Sequence, residues 1–488
     1  MSTTLKRPGA YIREENAFPG STFPGSAVAV ETAVPVFIGY TQTAVWNGKS
    51  LVGKPTRISS FAEYVQNFGQ AFQPRFTIAD APASPPVAAD TFMLDGKPKI
   101  ISINKDNIAY LFNSIRLFYA NGGSDCYILS VGTYGGAVTG VPISAADFIG
   151  SPSVFEILEK EFEPTMIVMP DIIALGKDAY HSVYTAALGH CAKEGVQSRV
   201  CIFDLRQQTC LEKTDDVIAE FRAGIGSHFL DYGAAYYPWL KTSIVQSGEV
   251  TFENLDPSVD LPALLPEAGA RAIVKSGNPN YHQSLMAASP TYVSLLEAIR
   301  AKINELPPSG AMAGIYTLVD NSRGVWKAPA NVSLNRVDAP SVNISTAEQE
   351  SISVDVIAGK SINVIRPFPG IGTLVWGART LDGNSQDWRY INVKRTMIMI
   401  EQSLKLATRT YVFEPNTANT WVLVNSMIGN FLTNLWKQGA LAGAVPEQAF
   451  DVQVGLAAAD IMNISVRVAI SHPAEFMVIT FRQQQQLP

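Results

Sequence analysis

The chain has 488 residues, 47% of them apolar and 16% charged, with a formal net charge of −6. That length exceeds one ordinary domain, so two or three are expected. The acidic balance and the lack of any Lys/Arg-rich run exclude a basic nucleic-acid footprint, and the low charge predicts a surface that is largely covered in use.

The first 30 residues are rich in Gly, Pro and Ser and read as an extended arm, with a short strand around Tyr11 and Ile12. A compact apolar strand follows over 34–40, then a short helix over 59–68 with Ser60 near its cap. Residues 70–99 are Pro- and Ala-rich and read as an exposed loop or insertion. Residues 104–121 predict an amphipathic helix, with Ile108, Leu111, Phe112, Ile115 and Phe118 at helical spacing and Gly122-Gly123 at its end. Residues 126–131 read as a buried strand. Strand, helix, strand and helix then alternate over 165–169, 178–193, 199–204 and 214–223, which is α/β patterning. A further strand spans 234–240, residues 249–284 are irregular, and a helix over 291–306 is stopped by Pro307-Pro308.

The texture changes after about Ser333. Strands are expected at 352–356, 362–366 and 373–376, and helices at 392–409 and 419–436, with a strand at 411–413 between them. The end of the chain, Ala474-Glu475-Phe476-Met477-Val478-Ile479-Thr480-Phe481, is apolar on both faces of a strand. Such a segment needs cover from two directions and a pairing partner for its backbone. It is either a central strand of its own domain or an arm that completes a neighbour's sheet.

No run approaches the roughly 20 apolar residues of a membrane span, and the start lacks a signal-peptide core, so folding in the cytosol is expected. Four cysteines (Cys126, Cys191, Cys201, Cys210) make no disulfide framework. His190-Cys191 with Cys201 and Cys210 lacks zinc-ligand spacing and reads as core, so no metal or other cofactor is expected. Asp171 follows a buried strand, where α/β enzymes place catalytic groups and where a helix cap also belongs. Neither a phosphate loop nor a Gly-x-Ser-x-Gly elbow is present. Arg323, Trp326 and Lys327 beside prolines read as a packed domain-junction turn.

Several segments together resemble contractile tail sheath proteins, the sheaths of contractile phage tails and related bacterial injection machines. They are Pro8-Gly9-Ala10-Tyr11-Ile12, Val34 to Tyr40, Tyr236-Tyr237-Pro238-Trp239 and Arg323 to Asn331. The densest stretches are Trp376 to Leu381, Trp388 to Arg395, Phe413-Glu414-Pro415-Asn416 and Pro473-Ala474-Glu475-Phe476. The resemblance implies a mixed α/β and α+β multi-domain subunit with no enzymatic activity. An inner α+β domain (334–470) would be completed by exchanged terminal strands, an amino-terminal arm (1–33) and a carboxy-terminal arm (471–488). An outer α/β domain (34–333) would be inserted between them.

The resemblance also implies a helical homopolymer around an inner tube protein, with baseplate and terminator proteins as further partners. It would be made in the bacterial cytoplasm, assembled into a phage-tail-like particle, and bind neither nucleic acid nor membrane. Tyr11, Ile12, Phe476, Met477, Val478, Ile479 and Phe481 become candidate inter-subunit strand residues. The helices expected at 392–409 and 419–436 become candidates for facing the tube, with Lys394, Arg395, Lys405 and Arg409, all on the first of them, as candidate contacts. A sheath-like baseplate or terminator component, or an α/β hydrolase using Asp171 and a histidine, are the alternatives.

Overall fold

The computed structural model describes residues 27–81, 91–103, 108–136, 140–208, 213–276, 281–355, 357–458 and 460–475, the side chain of Asp215 excepted. In chain order, β1 (Pro35–Thr41) leads to the hairpin β2 (Val45–Trp46) and β3 (Lys49–Ser50), then β4 (Thr56–Ile58) and α1 (Phe61–Phe68). A small antiparallel sheet of β5 (Phe76–Asp80), β6 (Thr91–Leu94) and β7 (Lys97–Ile103) comes next. It occupies much of the stretch expected to be an exposed loop. The prolines and alanines there obscured the pairing of Phe76 with Ile103 and Ile78 with Ile101.

Then follow α2 (Leu111–Ala120), β8 (Cys126–Thr133), α3 (Ala146–Ile149), α4 (Val154–Leu158), β9 (Met166–Val168), α5 (Lys177–Ala192), β10 (Val200–Asp204) and α6 (Thr214–Gly224). β11 (Gly233–Tyr237), β12 (Leu240–Thr242), the helices α7 (Leu261–Leu264), α8 (Ala268–Lys275), α9 (His282–Ala288) and α10 (Pro290–Ile303), and β13 (Glu305–Leu306) precede α11 (Ser309–Arg323). The last part holds β14 (Val332–Ser333), β15 (Val337–Pro340), α12 (Thr346–Ser353), β16 (Asn363–Phe368), β17 (Gly372–Trp376), α13 (Ile391–Thr408), α14 (Ala418–Lys437), α15 (Pro446–Ala449), β18 (Phe450–Ala458) and β19 (Ile461–Val468).

The main sheet runs β14-β17-β16-β11-β10-β9-β1-β8-β4. Its six central strands, β16 to β8, are parallel, and antiparallel pairs finish both edges. All residues of β1, β9, β10 and β11 are buried. Their nearly unbroken apolar runs are what a parallel sheet covered on both faces requires. On one face α11 presses against α2 through small residues. A Cβ on Gly310 would lie 2.5 Å from the Ser114 carbonyl oxygen, and one on Gly314 would lie 2.6 Å from that of Phe118. Only glycine permits that approach.

Two expected strands are not strands. Residues 352–356 fall at the end of α12, which a Ser345–Glu348 capping box starts. Residues 409–411 form a 3-10 turn, and Phe413 has a positive φ of 74°.

The chain divides into two compact units. Among the described residues, the larger holds 30–325 and 329–399, and the smaller holds 27–29, 326–328 and 400 onward. The segment 334–399, grouped by sequence with the carboxy-terminal part, lies in the larger unit, because β16 pairs with β11 and extends the main sheet. The smaller unit contains α14, α15 and the antiparallel pair β18–β19.

Candidate functional site

In open α/β sheets a substrate site forms where neighbouring strands send their connections to opposite faces, outside the strand carboxyl ends. Here β1 sits between β9 and β8 at such a point. The place is filled by Asp171, which is fully buried. Its Oδ2 accepts the Tyr40 N–H of β1 at 2.7 Å, and its Oδ1 accepts the N–H groups of Tyr110 and Leu111 at 2.6 and 2.9 Å. Asp171 therefore caps α2 and ties it to β1. Gly39 makes room for the carboxylate, since a Cβ there would lie 2.3 Å from Oδ2. Burial pushes the Asp171 carboxyl up to about 6 against the pull of those three donors. The cavity beside it, lined by Tyr40, Phe72 and Tyr134, measures only about 10 Å³, space for about one water.

Asp204, at the end of β10, repeats the device. It accepts the Ser309 N–H at 2.7 Å and the Ser309 Oγ–H at 2.5 Å, capping α11. Burial raises its carboxyl to about 7. A larger cleft of about 380 Å³ lies elsewhere, lined by Lys241, Arg300, Asn304, Glu305 and Asp338 among others. Neither Asp171 nor a histidine lines it.

Two of the four cations expected to face a tube lie inside the larger unit. Lys394 is 2% exposed; its Nζ is 2.8 Å from Asp231 and sits over the rings of Tyr232 and Trp388 at 4.0 and 4.4 Å. Arg395 is 4% exposed and forms a two-pronged pair with Asp320, at 3.0 and 2.6 Å. It also donates to the Thr32 carbonyl at 2.9 Å and stacks on Tyr316 at 4.7 Å. Both side chains are spent on the fold and present no charge to a partner, which corrects the expectation for them. Apart from Trp388, the partners come from segments 75 to 363 residues away, so helical spacing could not reveal them. Lys405 is half-buried and Arg409 exposed, at the other end of α13.

Arg323 ends α11 and is exposed, whereas Trp326 and Lys327 are half-buried where the chain passes from one unit to the other. Lys327 Nζ donates to the Ala328 carbonyl at 3.2 Å. Tyr11, Ile12, Phe476, Met477, Val478, Ile479 and Phe481 lie outside the described residues.

The smaller unit carries the feature that sequence reading missed. β18 and β19 pair from Phe450–Val468 to Ala458–Ile461. Phe450 and Val452 are buried, while Leu456 is 56% exposed near the tip. Val452, Val454 and Leu456 alternate with polar or small residues, and so do Ile464, Val466 and Val468, which was the available signal. α14 holds the hairpin through Asn425, whose amide donates to the Val452 carbonyl at 3.0 Å. Asn416 reaches the Ala458 carbonyl at 3.3 Å. Among the described residues no third strand pairs with either edge. A two-stranded sheet is marginal alone, and open edges invite pairing.

Among the described residues no group of three or more His, Cys, Asp or Glu could hold a metal. Cys191 and Cys201 are buried free thiols with sulfurs 3.5 Å apart. No described helix is long and apolar enough to cross a membrane.

Comparison with known proteins gives these features a context. Residues 384–484 match the family model "Phage tail sheath C-terminal domain". A tail sheath protein of Vibrio phage KVP40 is 26% identical over 136 residues, 28% of this chain; the chain spans about a fifth of that relative's length, 20%. Solved structures match almost end to end. One is the sheath complex of an extracellular contractile injection system, PVC, in the contracted state, with 26% identity, 99% of both chains covered and a TM-score of 0.61. Another is the contracted helical sheath of the anti-feeding prophage, with 27% identity, 99% of this chain and 100% of that one covered, and a TM-score of 0.58. The carboxy-terminal match includes the hairpin, and the structural likeness extends through the capped α/β body. The carboxy-terminal residues 384–484 thus match the phage tail sheath C-terminal domain family, and the chain along nearly its whole length is similar to sheath proteins of contractile injection systems.

Proposed function

We propose that this chain is the structural subunit of a contractile sheath, polymerising helically around an inner tube. Its contraction would drive the tube through a target envelope on free energy stored at assembly. The observation that carries this reading is the β18–β19 hairpin, whose edges are open among the described residues of a chain with two long terminal segments. A strand from a neighbour added to each edge would satisfy the backbone and cover Leu456. Repeated head-to-tail exchange of this kind generates a filament instead of a closed ring.

Lys405 and Arg409 are the remaining candidates for contact with an acidic tube surface. A non-enzymatic role is supported by Asp171, which occupies the position a substrate would need. The whole-chain likeness to injection-system sheaths favours an injection device over a phage tail. Baseplate and terminator proteins would bound the polymer at its two ends.

The test is co-expression with the cognate tube protein and negative-stain microscopy, with and without residues 476–488. Full-length chain forms long sheathed tubes; the truncated chain stays as subunits or short rings. Normal contractile sheaths from the truncated chain would refute the exchange.

A further inference from the structure

Arg199 is 1% exposed, yet among the described residues its hydrogen bonds reach no carboxylate. Its guanidinium donates to the carbonyls of Leu158 (2.8 Å), Pro164 (2.7 Å) and Glu161, gathering the end of α4 and the turn that follows. The remaining bond, at 2.9 Å, goes from Nη1 to Nε2 of His190, near the end of α5 and itself 5% exposed. An arginine has only donors, so Nε2 must be the unprotonated, accepting nitrogen. The proton then sits on Nδ1, which is buried without a hydrogen-bond partner among the described residues.

This arrangement has one stable charge state. A second proton on the imidazole would remove one of the two acceptors of Arg199 Nη1, leaving only the Leu158 carbonyl, and set two buried cations in contact. The charged groups that reach the ring are Arg199, Lys193 and Glu159, and the last two are paired with each other at 2.6 Å. From α4 the ring is faced by Phe155, at 5.4 Å between centroids, which offers no charge. Burial first and Arg199 second push the His190 imidazole down to about 4.

We propose that His190 and Arg199 form an acid-released latch, in which protonation of His190 expels the turn 159–164 from the body of the larger unit. That turn carries Phe162, which is 78% exposed, and Glu163, which holds Arg57 at 2.6 Å and the Tyr127 hydroxyl at 2.6 Å. Its release would loosen the β4–β8 edge of the main sheet, where Arg57 and Tyr127 face each other in register.

The sign follows from linkage. A histidine depressed in the folded state contributes stability that is complete above its unfolded value near 6.5 and is lost as pH falls towards about 4. Over that window the folding equilibrium should weaken by about a hundredfold or more. The buried Asp171 and Asp204 are shifted upward and act in the opposite direction. They are unchanged by a substitution at 190 and cancel in a comparison.

The experiment compares the full chain with His190→Gln, whose side-chain oxygen can accept from Arg199 without titrating. Melting curves and amide exchange are followed from pH 7.5 to 4.5. The wild type should lose several degrees more than the variant on acidification, with exchange rising first in 154–164 and 186–201. A second readout needs no stable variant. With only five histidines, selective ¹³C-His labelling with assigned resonances should show the His190 imidazole staying neutral well below pH 6, distinguished from His181, which burial also shifts down. Equal acid losses in both proteins, or a His190 imidazole titrating near the ordinary value, would overturn the latch.

Discussion

Truncating Arg395 to Met is the sharpest probe of how this subunit uses its charges. Arg395 and Asp320 are both almost fully buried, with side chains 4% and 3% exposed, and share two hydrogen bonds. Removing the cation strands a carboxylate whose other side-chain partner among the described residues is the Thr32 hydroxyl at 2.6 Å. Breaking a buried pair from one side typically costs ~3–5 kcal/mol, whereas replacing both members by apolar groups of similar volume is often close to neutral. Arg395→Met should therefore lower Tm strongly and reduce soluble yield, and Arg395→Met with Asp320→Leu should recover most of the loss. A double-mutant cycle by thermal denaturation of the unassembled subunit measures the coupling. If Arg395→Met melts with the wild type and fails only in assembly with a tube, the buried-pair reasoning is refuted and the residue acts at a surface.

Gly39→Ala places a methyl group 2.3 Å from Asp171 Oδ2, so the cap on α2 must shift and its bond to Tyr40 is lost. A loss of ~1–3 kcal/mol is expected, visible as a lower Tm; an unchanged Tm would contradict the capping role. Asp204→Asn keeps the acceptor for the Ser309 N–H and offers an amide donor to Ser309 Oγ. Asp204 is raised to about 7 in the folded chain, so the stability linked to its proton is complete below about 4 and lost as pH climbs to about 7. The variant, which has no such proton, should gain on the wild type in Tm between pH 5 and 8; parallel pH curves would show that burial does not shift Asp204.

The legible parts of the fold were those encoded by nearby residues. The apolar rows of α13 and α14 predicted 392–409 and 419–436, within a residue of 391–408 and 418–437. The alternation of apolar strand and helix patterns over 165–223 announced the α/β body to which β9, α5, β10 and α6 belong. Asp171 was weighed as a cap from its place after a strand, but its donors come from 60 and 131 residues away, and no pattern near it names them. Lys394 and Arg395 were misplaced for the same reason. Charge suggests solvent until a distant Asp231 or Asp320, and a ring from Tyr232, Trp388 or Tyr316, supplies the compensation. The β5–β7–β6 sheet was hidden by its Pro- and Ala-rich setting, and the β18–β19 hairpin by being only half-buried.

The central claim is that the hairpin receives strands from other copies. A cryo-electron microscopy map of the assembled particle, traced through residues 1–26 and 476–488, tests it most directly. The account predicts that at least one edge of β18–β19 is paired with a terminal segment of a different subunit. Both termini folded onto their own subunit, with the hairpin edges facing solvent, would contradict it.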